Sequence, residues 1–175
     1  VPLRPRPAPT MASMATRISA GILLYRVTDG RLETLLAHPG GPLYGHRDEG
    51  YWSIPKGEPD GDEPLLDVAI REFTEETGHP VPGGPVLDLG VIVQKGGKVV
   101  YAWAVRGDLD PADAVSNEFA MEWPPKSGVT ASFPEIDRVA WFAPAEARLR
   151  IKASQIPLLD RLETELDAAV RTGEQ

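Results

Sequence analysis

The sequence predicts a single α/β domain, and three observations carry that reading. Segments rich in branched and aliphatic residues, "RISAGILLYR" at 17–26 and "KVVYAWAV" at 98–105, have strand composition. Between them lies one strongly patterned helix at 62–77, and the last quarter of the chain reads as helix again. At 175 residues the chain is long enough for one ordinary core and short for two.

In chain order, 17–26 and 32–37 read as a strand pair joined at Asp29-Gly30, a turn signal. Residues 38–50, with four glycines, read as a loop, and "YWSIP" at 51–55 as a short strand ended by its proline. In the helix at 62–77, Leu66, Ala69, Ile70 and Phe73 repeat at i, i+3, i+4 and i+7, an apolar stripe for one buried face. Asp62 is the expected N-cap, with Pro64 in the first turn and Gly78 as the C-terminal cap. Residues 85–94 and 98–105 flank "KGGK" as a hairpin. Residues 111–135 read as a long irregular stretch, 137–142 as a last strand, and "AEARLRI" and "SQIPLLDRLETELDAAVRT" as helices. Residues 1–16 are expected to be a disordered tail or leader, and 17–172 the domain proper.

Composition excludes several classes. No apolar run approaches the roughly 18 to 20 residues that span a bilayer, so no membrane partner is expected. The absence of cysteine excludes disulfides, zinc–thiolate sites and a cysteine nucleophile, and it fits a cytoplasmic setting. The net charge of −8 is concentrated: between Gly57 and Gly78 eight acids face one base, Arg71. Such a stretch repels a nucleic-acid backbone, so no nucleic-acid partner is expected.

Three of those acids, Glu72, Glu75 and Glu76, fall within a 100° arc beside the apolar stripe. On spacing alone this is the solvated side of a helix, with like charges costing a few tenths of a kcal/mol per pair. The upstream residues change the reading. From Gly57 there are five residues to Glu63 and seven more to Arg71 and Glu72, followed by Phe73, Thr74, Glu75, Glu76, Thr77 and Gly78. This arrangement resembles the signature box of the Nudix hydrolases at all seven fixed positions. It departs from the family at Phe73 and His79, where aliphatic residues are usual.

The resemblance implies a Nudix-type α/β/α sandwich with a mixed central sheet and a loop–helix–loop. It further implies a metal-dependent hydrolase that cleaves a pyrophosphate linkage in a nucleotide or dinucleoside polyphosphate by water attack on phosphorus. ADP-ribose or inositol pyrophosphate hydrolysis, and a non-catalytic nucleotide-binding module, stay open beside it. Glu72, Glu75, Glu76 and the Gly57 carbonyl would hold Mg²⁺ or Mn²⁺, hard cations suited to oxygen ligands. Glu72 or Glu75 would act as base, and Arg71 would orient the glutamates, through Glu63. Family members often add a loop carboxylate before the last strand, which points to Glu135, with Glu118 and Glu122 as rivals. A polyphosphate substrate also needs cations and stacking surfaces. Lys56 is the first candidate, then Lys95 and Lys98, with Tyr44, Trp52 and Tyr101 as aromatic candidates and His38 and His46 on the glycine-rich loop.

Overall fold

The computed structural model describes residues 16–173, so the expected tail lies, but for its last residue, outside the described residues. The chain runs β1 (Ile18–Thr28), β2 (Arg31–Pro39), β3 (Lys56–Gly57), α1 (Leu65–Thr77), β4 (Val86–Val93) and β5 (Val99–Arg106). It continues through β6 (Glu118–Glu122), β7 (Thr130–Pro134), β8 (Ile136–Phe142), α2 (Pro144–Arg150) and α3 (Ile156–Thr172). The main sheet has the order β4-β5-β1-β2-β8, with β3 beside β1. β1 runs parallel to β5 and antiparallel to β2 and β3, which makes the sheet mixed.

The pleat of β1 explains the layers. Ala20, Ile22 and Leu24 point to one face and pack with Val68, Ala69 and Phe73 of α1. Leu23 and Tyr25 point to the other and pack with Ala147 of α2 and Leu158, Leu159 and Leu162 of α3. Both faces are covered, so β1 reads as a continuous apolar run rather than an alternation. Burial of a side chain such as Phe73 contributes roughly 1.5–3 kcal/mol. Helices on both sides of a mixed sheet are the expected α/β/α architecture.

One irregularity in this sheet creates the site. β1 pairs with β2 only from Tyr25 to Thr28; nearer its start it pairs instead with β3, Ala20 opposite Gly57 and Gly21 opposite Lys56. Residues 53–57 therefore wedge between two strands that would otherwise zip together, with Ser53 exchanging both backbone hydrogen bonds with Ala37. Gly21 makes the room: a Cβ there would meet the Pro55 carbonyl oxygen at 2.5 Å and the Lys56 Cβ at 2.6 Å.

Four expectations need correction. α1 begins at Leu65, with Pro64 in the N-cap position at φ −58°, ψ 136° and no side-chain cap. Because Pro64 is extended, Asp62 lies outside the helix and caps nothing. Ile70 is 38% exposed, while Glu72 and Glu76 are buried with Val68, Ala69 and Phe73, so the inward face is rotated toward the acids. Residues 51–55 form only isolated bridges, because Trp52 and Ser53 pair with different neighbours, Ile151 and Ala37. The stretch 111–135 contains a two-stranded ribbon, β6 against β7, with Phe119 opposite Phe133. In "EFAME" half-buried and exposed residues alternate, the signal that reveals this ribbon.

Two arginines fasten the outer parts. Arg148 of α2 bonds Asp160 and Glu163 of α3, locking those helices together. Arg161 of α3 donates to the carbonyls of Leu89 (2.8 Å) and Val91 (3.0 Å), where the β4 register shifts between Asp88 and Gly90. Among the described residues no helix is long and apolar enough to cross a membrane.

Candidate functional site

The acids of α1 are organised by Arg71. Its guanidinium grips Glu63 with Nε and Nη2, both at 3.0 Å, and Nη1 donates to Glu72 at 2.7 Å and to Glu75 at 3.4 Å. Nη2 also reaches the Glu58 carbonyl at 3.1 Å, tying the loop ahead of α1 to the helix. These partners hold Arg71 charged and draw Glu63 below the usual carboxylate range.

Glu72 is pressed against Gly57. A Cβ at position 57 would come within 2.0 Å of the Glu72 carboxylate carbon, so a larger residue there would push that carboxylate aside. One turn on, Glu76 is buried and its Oε2 accepts the Lys56 backbone N–H at 3.1 Å. Burial pushes the Glu76 carboxyl up to about 8, offset in part by Lys56 and reinforced by Glu72 and Glu135. Burial, together with Lys98 and Lys152, pushes the Lys56 ammonium down to about 8.

Glu135 reaches this cluster from the segment between β7 and β8. The Asn117 N–H donates to the Glu75 carbonyl and the Glu135 N–H donates to the Asn117 carbonyl, both at 2.9 Å, so two backbone bonds separate Glu135 from α1. Burial first, then Glu72 and Glu75, push its carboxyl up. Its rivals Glu118 and Glu122 are exposed on β6 and take no part in that pattern.

A cavity of about 310 Å³ opens beside these acids. Glu76, Glu135, Lys56 and Lys152 line it with both signs of charge, and Tyr44, Tyr51, Phe119 and Ile136 add ring and aliphatic surface. A second cavity of about 500 Å³ shares Pro39, Tyr44, Tyr51 and Lys152 with the first and adds Gln94, Lys95 and Ser154.

The expected site residues therefore divide. Lys56 and Tyr44 line the first cavity and Lys95 lines the second. Lys98 is paired with Glu58 at 3.0 Å and acts on Lys56 through its charge. Tyr101 packs against the α1-side core, and Trp52 is 4% exposed in the opposite core, so neither presents a stacking face to these cavities. His38 is buried, its Nδ1 2.7 Å from Asp137 Oδ1 and its Nε2 against the Arg47 carbonyl, where it braces the loop; His46 is exposed. Sequence reasoning missed Lys152, Tyr51 and Phe119. Only Phe119 had a local signal, the alternation of β6.

The donor set suits a hard divalent cation: four carboxylates beside the Gly57 backbone, with Glu72 and Glu76 buried and with Glu76 and Glu135 pushed up by burial first and by neighbouring acids after it. Among the described residues no three acidic or imidazole side chains already converge as ligands, because Arg71 holds Glu72 and Glu75 while Glu76 is bonded to Lys56.

Comparison with known proteins bears on the fold and the family. A curated relative, the 8-oxo-(d)GTP phosphatase of Mycolicibacterium smegmatis, is 40% identical over 68 residues, which are 37% of this chain and 21% of that protein. The matched segment is thus about a fifth of that relative's length. Among solved structures, the NUDIX domain of Shewanella oneidensis NrtR complexed with ADP ribose superposes with a TM-score of 0.60 at 17% identity, covering 87% of this chain and 89% of that one. A C. elegans Ap4A hydrolase binary complex superposes at 0.58 and 22% identity, covering 87% and 99%. At such identities the structures establish the fold alone. The family model described as the NUDIX domain matches residues 15–162, most of the sequence, and the chain belongs to the Nudix family.

Proposed function

We propose that this protein is a metal-dependent pyrophosphohydrolase that cleaves a phosphoanhydride bond in a nucleotide or dinucleoside polyphosphate by water attack on phosphorus. The observation that carries the reading is a cavity lined by both signs of charge. Desolvated carboxylates at Glu76 and Glu135 meet Lys56, Lys152 and an aromatic lining in one cavity. Purely acidic sites repel polyphosphate and purely basic ones need no buried acids.

In this mechanism Glu72, Glu75, Glu76, Glu135 and the Gly57 carbonyl would hold Mg²⁺ or Mn²⁺. The bound ion supplies positive charge at the phosphoryl oxygens and a more acidic water. Glu72 or Glu75 takes the proton of the attacking water, and Arg71 orients both through the bonds described above. Lys56 faces the phosphates, and Tyr44 offers a ring to a base. The absence of cysteine fits the reducing cytoplasm as the setting.

A second reading, a module that binds ADP-ribose or another nucleotide without turnover, draws on the likeness to the NrtR domain. The complete set of Glu72, Glu75 and Glu76 speaks for catalysis instead. The deciding experiment is a hydrolysis screen with either metal over nucleoside triphosphates, dinucleoside polyphosphates, ADP-ribose and inositol pyrophosphates, with Glu75→Gln beside the wild type. Metal-dependent turnover lost in Glu75→Gln is expected; binding without turnover would move the protein to the second reading. Isotope-labelled water then identifies the phosphorus attacked.

A further inference from the structure

Glu135 stands between β7 and β8, outside both strands, yet its backbone is held on three sides. Its N–H donates to the Asn117 carbonyl at 2.9 Å, and its carbonyl accepts the Gly40 N–H at 2.8 Å. The next N–H, of Ile136, donates to Ser116 Oγ at 3.0 Å, and that hydroxyl donates in turn to the Asn117 carbonyl at 2.9 Å. One carbonyl and one hydroxyl thus take both amide protons that flank the Glu135 side chain.

The same short strap reaches α1. The Val115 N–H donates to the Thr77 carbonyl and the Asn117 N–H to the Glu75 carbonyl, both at 2.9 Å, where the last turn of a helix leaves its carbonyls open. Two glycines let these segments close up. A Cβ on Gly78 would meet the Val115 carbonyl oxygen at 2.8 Å, and one on Gly40 would collide with the Pro134 carbonyl oxygen. The backbone positions under Glu75 and Glu135 are therefore set relative to each other by residues 115–117.

Among these bonds only those of the Ser116 hydroxyl come from a side chain, so they depend on which residue stands there. Ile136 is half-buried, where water satisfies an N–H about as well as a hydroxyl does. What a hydroxyl bonded at both ends adds is a fixed direction.

We propose that Ser116 is a positioning residue: through the Ile136 N–H and the Asn117 carbonyl it holds the Glu135 carboxylate toward the acids of α1, and so sets the affinity of the site for its divalent cation. This inference rests on the hydrolase reading above, in its assignment of Glu135 to the metal.

The test is calorimetric titration of Mn²⁺ into substrate-free protein, beside turnover of the nucleotides in the screen above, for wild type and variants at positions 116 and 135. Ser116→Ala should weaken Mn²⁺ binding about 10-fold, the scale for losing a bond that orients a metal ligand. It should also lower kcat and leave KM for the nucleotide unchanged. Ser116→Cys, of similar size with a weak acceptor, should lose as much, and Ser116→Thr, which keeps the hydroxyl, should recover most of it. Ser127→Ala removes a hydroxyl that accepts the Val129 N–H at 3.1 Å in the turn between β6 and β7, and should leave binding and kinetics as in wild type. In a Glu135→Gln background the Ser116→Ala loss should disappear, because the serine acts through that carboxylate. An equal loss in both backgrounds, or a lowered melting temperature with Mn²⁺ affinity retained, would show a merely structural hydroxyl and overturn the proposal. Glu135→Gln binding Mn²⁺ as wild type does overturns it too, by removing Glu135 from the metal, while turnover by wild type would leave the hydrolase reading standing. A wild type that shows the expected coupling in Mn²⁺ binding but hydrolyses nothing supports Ser116 and ends the hydrolase reading; one that binds no Mn²⁺ ends both.

Discussion

Arg71 and Arg148 make nearly the same bonds for different ends. Both guanidiniums are about one-third exposed, at 32% and 31%, and both fork onto neighbouring carboxylates. Around Arg148 the acids are Asp160 and Glu163, with side chains 56% and 36% exposed, and water shares the work of solvating them. Around Arg71, Glu72 is only 11% exposed, and two more acids, Glu76 and Glu135, stand close without any arginine of their own. The first cluster is balanced and joins two helices. The second holds more carboxyl groups than its arginine can pair, two of them raised by burial, and that excess, not the arginine fork, distinguishes a site from a clamp.

The sharpest way to test this contrast is to remove one carboxylate from the cluster around Arg71. Glu75→Gln should lower kcat about 10²- to 10⁴-fold with Mg²⁺ present, the range for losing a positioned base or ligand. Because Glu75 is 41% exposed, its melting temperature should barely move. Gly57→Ala is next: the added methyl displaces the Glu72 carboxylate, and a misplacement of about 1 Å costs on the order of 10²-fold in kcat/KM. Circular dichroism should stay native, since the glycine serves for room alone.

A subtler effect is the pH dependence of stability without metal. The Glu76 carboxyl ionises near 4.5 in the unfolded chain and only near 8 in the folded one. Between those values the folded state keeps a proton that the unfolded state has released, so this group's contribution falls as pH rises through that window. Lys56, shifted from 10.5 to about 8, contributes the opposite slope above pH 8. Denaturant titrations across pH 5 to 8 (about one unit apart) should show the Glu76 slope and its disappearance in Glu76→Gln. An unchanged slope would remove Glu76 as its source. The smallest effect belongs to the clamp: Arg148→Ala should cost about 1 kcal/mol or less in stability, with kcat and KM as in wild type. A kinetic defect there would erase the distinction between the two arginines.

The same contrast explains what the sequence disclosed. The acidic box was legible because its parts lie within 22 positions on one loop and one helix, where spacing maps directly to geometry. Gly78 was legible for that reason too, closing α1 with its N–H on the Thr74 carbonyl. Lys152 was not, since only the pairing of Trp52 with Arg150 and Lys152 brings it to the cavity, and such long-range pairing leaves no local period. Ile70 misled because its spacing fits an apolar stripe, whereas the wedge at Gly57 draws Glu72 and Glu76 inward instead. Tyr101 and Trp52 misled because aromatic identity alone cannot separate a stacking face from core.

The shift in β4 at Gly90, covered by Arg161, has a consequence for the molecule among its own copies. β4 ends the sheet and exposes Val91 and Val93, a combination that invites another chain to add its own strand. The carbonyls of Leu89 and Val91 already accept from Arg161, and the ladder breaks between Asp88 and Gly90. An incoming strand finds those two acceptors taken and the ladder irregular between them and Asp88, which makes the middle of β4 a poor template for edge-to-edge pairing.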